Sequence, residues 1–284
     1  MPSRTFTPRG TPDGGTFIMN YQPVIPFGGM AGWSFLQRTQ SAQKEAFNAS
    51  PVMERDVQYY KENIDKVSSA EELVDDYRLL KVTLGAYGLD ADIGNKFYIK
   101  KVLEDGTLDN DDLSNKLSDK RYFEMARDFG FGDFGIPGNK LSDFGETTTD
   151  AYQERQFEIA VGEQSQEMRL SLSLERDLGG ILDKSTTDEG KWFSVMGNPP
   201  LRQIFETALG LPSTFATLDL DQQLDVFREK SETYFGDSTV DQFSNPEKME
   251  ELNRLFLVRS EIANGTASMS GGTIALTLLQ SFNL

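Results

Sequence analysis

Leu79-Leu-Lys-Val-Thr-Leu-Gly-Ala-Tyr-Gly-Leu89 and Leu201-Arg-Gln-Ile-Phe-Glu-Thr-Ala-Leu-Gly-Leu211 are two versions of one phrase, set about 120 residues apart. Leu79, Val82, Ala86, Gly88 and Leu89 stand in the order and spacing of Leu201, Ile204, Ala208, Gly210 and Leu211. Apolar residues three to four apart, closed by glycine, describe an amphipathic helix ending on a left-handed residue. Further on, Leu117-Ser118-Asp119 with Phe123, Ala126 and Phe129 matches Phe243-Ser244-Asn245 with Met249, Leu252 and Leu255, once a four-residue insertion is allowed. The register survives across both landmarks, which reads as a diverged internal duplication of a helical module.

Outward from these landmarks the chain reads as helix almost throughout. A first helix begins near Ala31 and carries Trp33, Leu36 and Phe47. Ser50-Pro51 supplies an N-cap and a proline first position for a second, through Val57, Tyr60 and Ile64. Ser69 and Glu72 form a capping box for a third, with Leu73, Tyr77, Leu80 and Leu84 on one face and Gly88 at its end. A fourth carries Ile93, Phe97, Lys100 and Leu103, with shorter helices near 111–117 and 120–129. Gly130 to Gly145, with Phe131, Phe134 and Phe144 among glycines and Pro137, reads as a loop pinned by aromatics. From about Thr148 one long helix through Phe157, Val161, Met168 and Leu172 should run to Gly179-Gly180 and join the two copies. The second copy opens at Asn198-Pro199-Pro200, with helices expected over 199–209, 219–235 and 246–263. Alternation of β-branched residues is scarce. The expected fold is mainly α, a duplicated multi-helix module joined by a long helix, with flexible N- and C-terminal tails. Its organisation is an arm over 1–30, a first repeat with the Phe/Gly linker over 31–145, the connecting helix and second repeat over 146–265, and a tail over 266–284. The arm is rich in Pro, Gly and Thr, and Met19 offers an alternative start within it.

Composition removes whole classes of chemistry. The 284 residues include no cysteine and no histidine. That excludes disulfides, thiolate nucleophiles, Cys/His zinc sites and every triad in which imidazole moves the proton. A net charge of −17, from 45 acidic and 28 basic side chains, repels a phosphate backbone and anionic lipid alike. No segment approaches the roughly 20 apolar residues that span a bilayer, and the N-terminus lacks a secretory signal pattern. The reading is therefore synthesis in the cytoplasm, a protein partner, no nucleic acid and no membrane insertion.

The remaining motifs have structural explanations. Asp105 to Asp112 has its glycine second rather than sixth and no closing glutamate, so it is a solvated turn and not a calcium loop. Asp90, Asp92, Asp219 and Asp221 sit where carboxylates favour helix N-termini. Asp-Phe-Gly at Asp128, Asp133 and Asp143 lacks the accompanying kinase motifs, and Ser41 with Lys44 lacks those of acyl enzymes. The paired glycines at 14–15 and 28–29 follow no strand and precede no phosphate-binding lysine. No catalytic, cofactor-binding or metal-ligating residue is assigned, and no cofactor is expected. Of the large aromatics Trp33, Phe35, Tyr59, Tyr60, Trp192 and Phe193, most should be core. Trp33 and Phe35, with Ile274, Leu276 and Leu279 in the tail, are the interface candidates, because their segments need not complete either repeat's core.

The strings Tyr21-Gln-Pro-Val-Ile-Pro, Gly32-Trp33-Ser-Phe-Leu-Gln-Arg38, Ser69-Ala-Glu-Glu-Leu73, Met196-Gly-Asn-Pro-Pro-Leu-Arg202, Ala208-Leu-Gly-Leu-Pro212 and Asp219-Leu-Asp-Gln-Gln-Leu224 together resemble a bacterial family of unknown function. The genes of that family often lie among flagellar genes, and its members carry the repeated region. The resemblance spans about Met19 to Asn264 and implies a flagellum-associated role, with export to the basal body or association with it. It transfers no catalytic residue. The functional expectation is a non-enzymatic assembly or accessory protein of the flagellum acting through protein contacts. The alternative is a cytoplasmic chaperone or regulator of a single flagellar partner, using the apolar tail. An enzyme built from carboxylates and lysines alone ranks behind both.

Overall fold

A computed structural model describes residues 21–184 and 186–266. Among them are thirteen α-helices and no strand. The first eight are α1 (Gly29–Asn48), α2 (Pro51–Asn63), α3 (Ala70–Asp75), α4 (Tyr77–Tyr87), α5 (Lys96–Asp105), α6 (Leu113–Lys116), α7 (Arg121–Phe129) and α8 (Phe144–Gly162). They are followed by α9 (Gln166–Leu182), α10 (Asp188–Met196), α11 (Pro199–Leu209), α12 (Leu220–Phe235) and α13 (Pro246–Thr266).

Local chemistry accounts for several boundaries, though the expected Ser50 cap of α2 makes no side-chain hydrogen bond. Asn198 accepts from the Leu201 amide, Asp219 from Gln222 and Ser165 from Met168, each satisfying an amide that the first helical turn leaves without a partner. Gly88 and Gly210 adopt φ of 71° and 66° and close α4 and α11 in the same way. Leu89 donates to the Leu84 carbonyl and Leu211 to Glu206, while the two glycine amides reach back three residues. The helix ends quoted at the outset thus share one hydrogen-bond geometry. The second landmark differs in packing: α13 lies along α11, but α4 is covered chiefly by α8, with α7 touching it more lightly.

Three sequence expectations are corrected. The helix expected from Ser69 to Gly88 is two, because Asp76 is extended (φ −84°, ψ 103°) and turns its carboxylate to cap Arg78 and Leu79. Tyr59 holds that carboxylate through its hydroxyl at 2.6 Å. With the register broken there, Tyr77 faces solvent instead of core, and so does Phe97 on α5. The Ser69 cap forms as expected, but the Glu72 carboxylate returns to the Ser68 amide instead of Ser69. The single connecting helix is also two, α8 and α9, separated at Glu163 to Ser165, and α9 packs back on α8. It runs through Gly179-Gly180 to Leu182. Finally, of the expected arm, Tyr21 to Ile25 are tied to the body. Gln43 exchanges two hydrogen bonds with the Val24 backbone (2.6 and 3.2 Å), and Gln164 donates to the Pro23 carbonyl.

Burial divides into two cores. The first gathers Tyr60, Leu73, Leu80, Val82, Leu84, Ile99, Val102, Met125 and Phe129. The second gathers Leu36, Met168, Leu174, Trp192, Leu201, Phe205, Phe227, Phe243 and Phe256. Trp192 is its centre, stacked on Phe227 and edge-on to Phe205, with its indole N–H donated to the Ser238 carbonyl at 3.0 Å. α8 serves both: Tyr152 points into the first core, Phe157 and Val161 into the second. α1 packs on the second core through Leu36, Met30 and Trp33, and its Phe47 reaches both.

Candidate functional site

The place where chemistry concentrates is a cleft of about 690 Å³ between the two cores. Its walls are the start of α7, one face of α8, one face of α9, and the junction of α10 with α11. Helical periodicity brings the side chains there. Arg155 and Glu158 are one turn apart on α8, and Arg169, Ser173, Arg176 and Gly180 repeat at three to four residues along α9. The lining contains the cations Lys120, Arg121, Arg155, Arg169, Arg176 and Lys184 against the carboxylates Asp90, Asp119, Glu124, Glu158 and Asp177. In a chain of net charge −17 this lining has six cations against five carboxylates.

Most of these charges hold each other. Asp119 grips Arg121 through Nε and Nη2, at 2.6 Å for the shorter contact, leaving Nη1 to cap the Gly88 carbonyl. Burial pushes the Asp119 carboxyl up, but hydrogen bonds from Arg121 outweigh it and hold the group below its usual range. Arg176 pairs with Glu158 and, at 3.0 Å, with Asp177. Glu158 is buried, and that burial pushes its carboxyl up against the opposing pull of Arg176. Asp90 accepts from Gln156 at 2.7 Å. Arg155 is different: its guanidinium is half-buried, and its buried Nε has no hydrogen-bond partner. Its positive charge is disfavoured first by burial and then by Arg176, so its pKa lies below the usual arginine value.

A second feature is the loop from Gly130 to Asp143. It is fixed in shape: Asp133 accepts from the Thr107 amide and hydroxyl, both at 2.8 Å, and Asn139 donates to the Ile64 and Val67 carbonyls at 2.6 and 2.9 Å. At Gly138 the chain passes so near the Asp128 carbonyl that a Cβ would come within 2.0 Å of its oxygen. Phe131 and Phe144 anchor the loop on Phe129, as a loop pinned by aromatics requires. Phe134, Ile136 and Leu141 instead face solvent, as does Leu108, whose amide donates to Asp133 at 3.4 Å; Ile136 is 78% and Leu108 72% exposed.

The interface candidates from sequence fall elsewhere. Trp33 is half-buried against the second core, Phe35 is half-buried on α1, and Ile274, Leu276 and Leu279 lie outside the described residues. Trp192 and Tyr60 are fully buried, whereas Phe193 lines the cleft. Lys44 pairs with Glu154 at 2.6 Å, and Asp128 accepts from Tyr87 at 3.0 Å. Among the described residues no group of three or more acidic side chains is placed to hold a metal ion, and no helix is long and apolar enough to cross a membrane. The four arginines of the cleft escaped sequence reading. The periodicity of Arg169 and Arg176 was visible, but only the folding of α9 onto α8 brings them to Arg155.

A protein family described as "Protein of unknown function (DUF1217)" matches residues 86–249. The crystal structure of a structural-genomics target from Agrobacterium tumefaciens is similar over 86% of this chain and 99% of its own, with 25% identity and a TM-score of 0.69. No curated protein matches the chain.

Proposed function

The chain belongs to the DUF1217 family of proteins of unknown function, and we propose that it is a non-enzymatic assembly or accessory protein that works through protein contacts, its partners being flagellar. The observation that carries the contact reading is the loop from Gly130 to Asp143. Large apolar side chains exposed on a mobile loop would cost entropy to order on binding, whereas these four are presented on backbone already held by Asp133 and Asn139. Exposed large apolar side chains on a fixed loop fit an interaction site. The duplication read in the sequence agrees with the same reading, since stacked repeats commonly present extended binding surfaces. The flagellar assignment rests on the sequence resemblance, which is associational.

The test is deletion of the gene in the bacterium that carries it, complemented by wild type or by the double variant Leu108→Asp, Ile136→Asp. Both positions are exposed, so the variant should fold and accumulate normally. Wild type should restore motility and basal-body composition, and the variant should not. Unchanged motility and basal bodies in the deletion strain, or full complementation by the variant, would overturn the proposal. Fractionation of the tagged protein with and without the flagellar export gate then separates an exported component from a cytosolic partner-binding one.

A further inference from the structure

The geometry points to the inter-core cleft as a binding site for a small organic anion, held through phosphate or carboxylate oxygens by Arg155 and Arg169. Three observations converge on it. Arg155 and Arg169 are partly buried residues that line the cleft, and the buried Nε of Arg155 has no hydrogen-bond partner. Of the carboxylates in the lining, Asp119 is paired with Arg121 and both Glu158 and Asp177 with Arg176, while Asp90 accepts from Gln156. In a chain with 45 acidic side chains, a buried arginine Nε left without a partner in this cleft is not there for want of carboxylates.

Burial weighs most against the charge on Arg155; Arg176 and Arg121 add to it, Asp177 and Glu158 oppose it, and Arg121 and Arg155 stand together against Gly88, so an added anion would meet two guanidiniums there. A planar guanidinium offers two parallel N–H donors, the match for a carboxylate or phosphoryl edge, and its bonds strengthen where water is partly excluded. The volume, about 690 Å³, is that of a small-molecule site. Ile159, Leu170, Phe193 and Pro199 add apolar surface for the body of an organic ligand. A ligand there would contact α8 and α9 at once, and through Arg121 the edge of the first core.

The inference is independent of the flagellar reading and is tested on the purified full chain. Calorimetric titration with pyrophosphate and with citrate, against chloride at matched ionic strength, should show saturable binding of at least one, and which one assigns the group. Arg155→Gln and Arg169→Gln should each weaken it at least about tenfold, the loss expected for one charge-assisted pair. Arg155→Lys, which keeps the charge without the fork, should bind in between, and Arg127→Gln, outside the cleft, should bind as wild type. Without ligand, Arg155→Gln should melt at or above the wild-type temperature, because it removes a half-buried charge with no partner. Absence of saturable binding of both probes, or equal binding by Arg155→Gln, would overturn the inference.

Discussion

Alanine at three glycines gives three different outcomes, set by backbone conformation and by what the new methyl meets. Gly210 has φ 66°, where a Cβ costs roughly 1–2 kcal/mol. The methyl would also stand 2.8 Å from Nη1 of Arg259, a guanidinium that caps the Ala208 carbonyl and lies 4.6 Å over the Tyr234 ring. Displacing it forfeits about 1 kcal/mol more, so Gly210→Ala should cost about 2–3 kcal/mol. Gly88, at φ 71°, carries the same backbone cost, but its nearest atoms, Nη1 of Arg155 and Arg121, lie farther off at 3.1 and 3.3 Å. Gly88→Ala should therefore cost about 1–2 kcal/mol. Gly179 lies inside α9 with nothing within 4 Å of an added Cβ, and there alanine should stabilise by about 0.5–1 kcal/mol. Urea unfolding followed by circular dichroism and by tryptophan fluorescence, both tryptophans belonging to or flanking the second core, measures all three. A Gly210→Ala midpoint indistinguishable from wild type, or a destabilised Gly179→Ala, would refute the reasoning.

Trp192→Ala should cost about 3–5 kcal/mol, the range for removing a fully buried large aromatic, and Trp192→Phe distinctly less; thermal unfolding of the two variants checks the order. Asp119 has a folded pKa held below its unfolded value, so its contribution is present above the unfolded value near 4 and is lost as pH falls through the folded one. Asp119→Asn should accordingly show a shallower loss of stability than wild type as pH is lowered below about 4, measured by urea midpoints across that range.

The helices of the second half were legible because their signals are local. Asn198-Pro199-Pro200, Asp219 and Asn245-Pro246 each place a capping side chain next to the turn it caps, and observed starts agree to within a residue. The break at Asp76 was not legible, because the Tyr59 hydroxyl that holds its carboxylate comes from another helix. Phe97 looked like core by spacing, yet the 3-10 turn at Asp90–Asp92 shifts the start of α5 and turns that residue outward. Gly179-Gly180 read as a stop, but neither residue has positive φ, and packing of Leu178 and Ile181 carries the helix through. The cleft was beyond sequence reading for the same reason as Asp76: its residues come from separate elements. The exposed loop was half visible, since glycines and phenylalanines announced it while the choice of which phenylalanines bury depends on Phe129 beneath them.

α8 explains why these features belong together. Its sequence shows no single apolar stripe because it has three different neighbours. Thr148, Thr149 and Tyr152 are buried on the side of the first core, and Phe157 and Val161 on the side of the second. At roughly 100° per residue, Arg155 and Ile159 fall beside the Tyr152 face and Glu158 beyond them, and this third strip is what the cleft sees. Lys44 of α1 reaches the same helix at Glu154, so its flank there is tied to α1. A charge on that third strip is thus set between two packed cores, where an ionic partner counts for more than on open surface. The N-terminus of this helix is Phe144, the residue on which the exposed loop ends and is anchored against Phe129. The cleft strip thus lies on the helix at whose N-terminus the apolar loop ends, while that loop itself is held by Asp133 on Thr107 and by Asn139 on Ile64 and Val67.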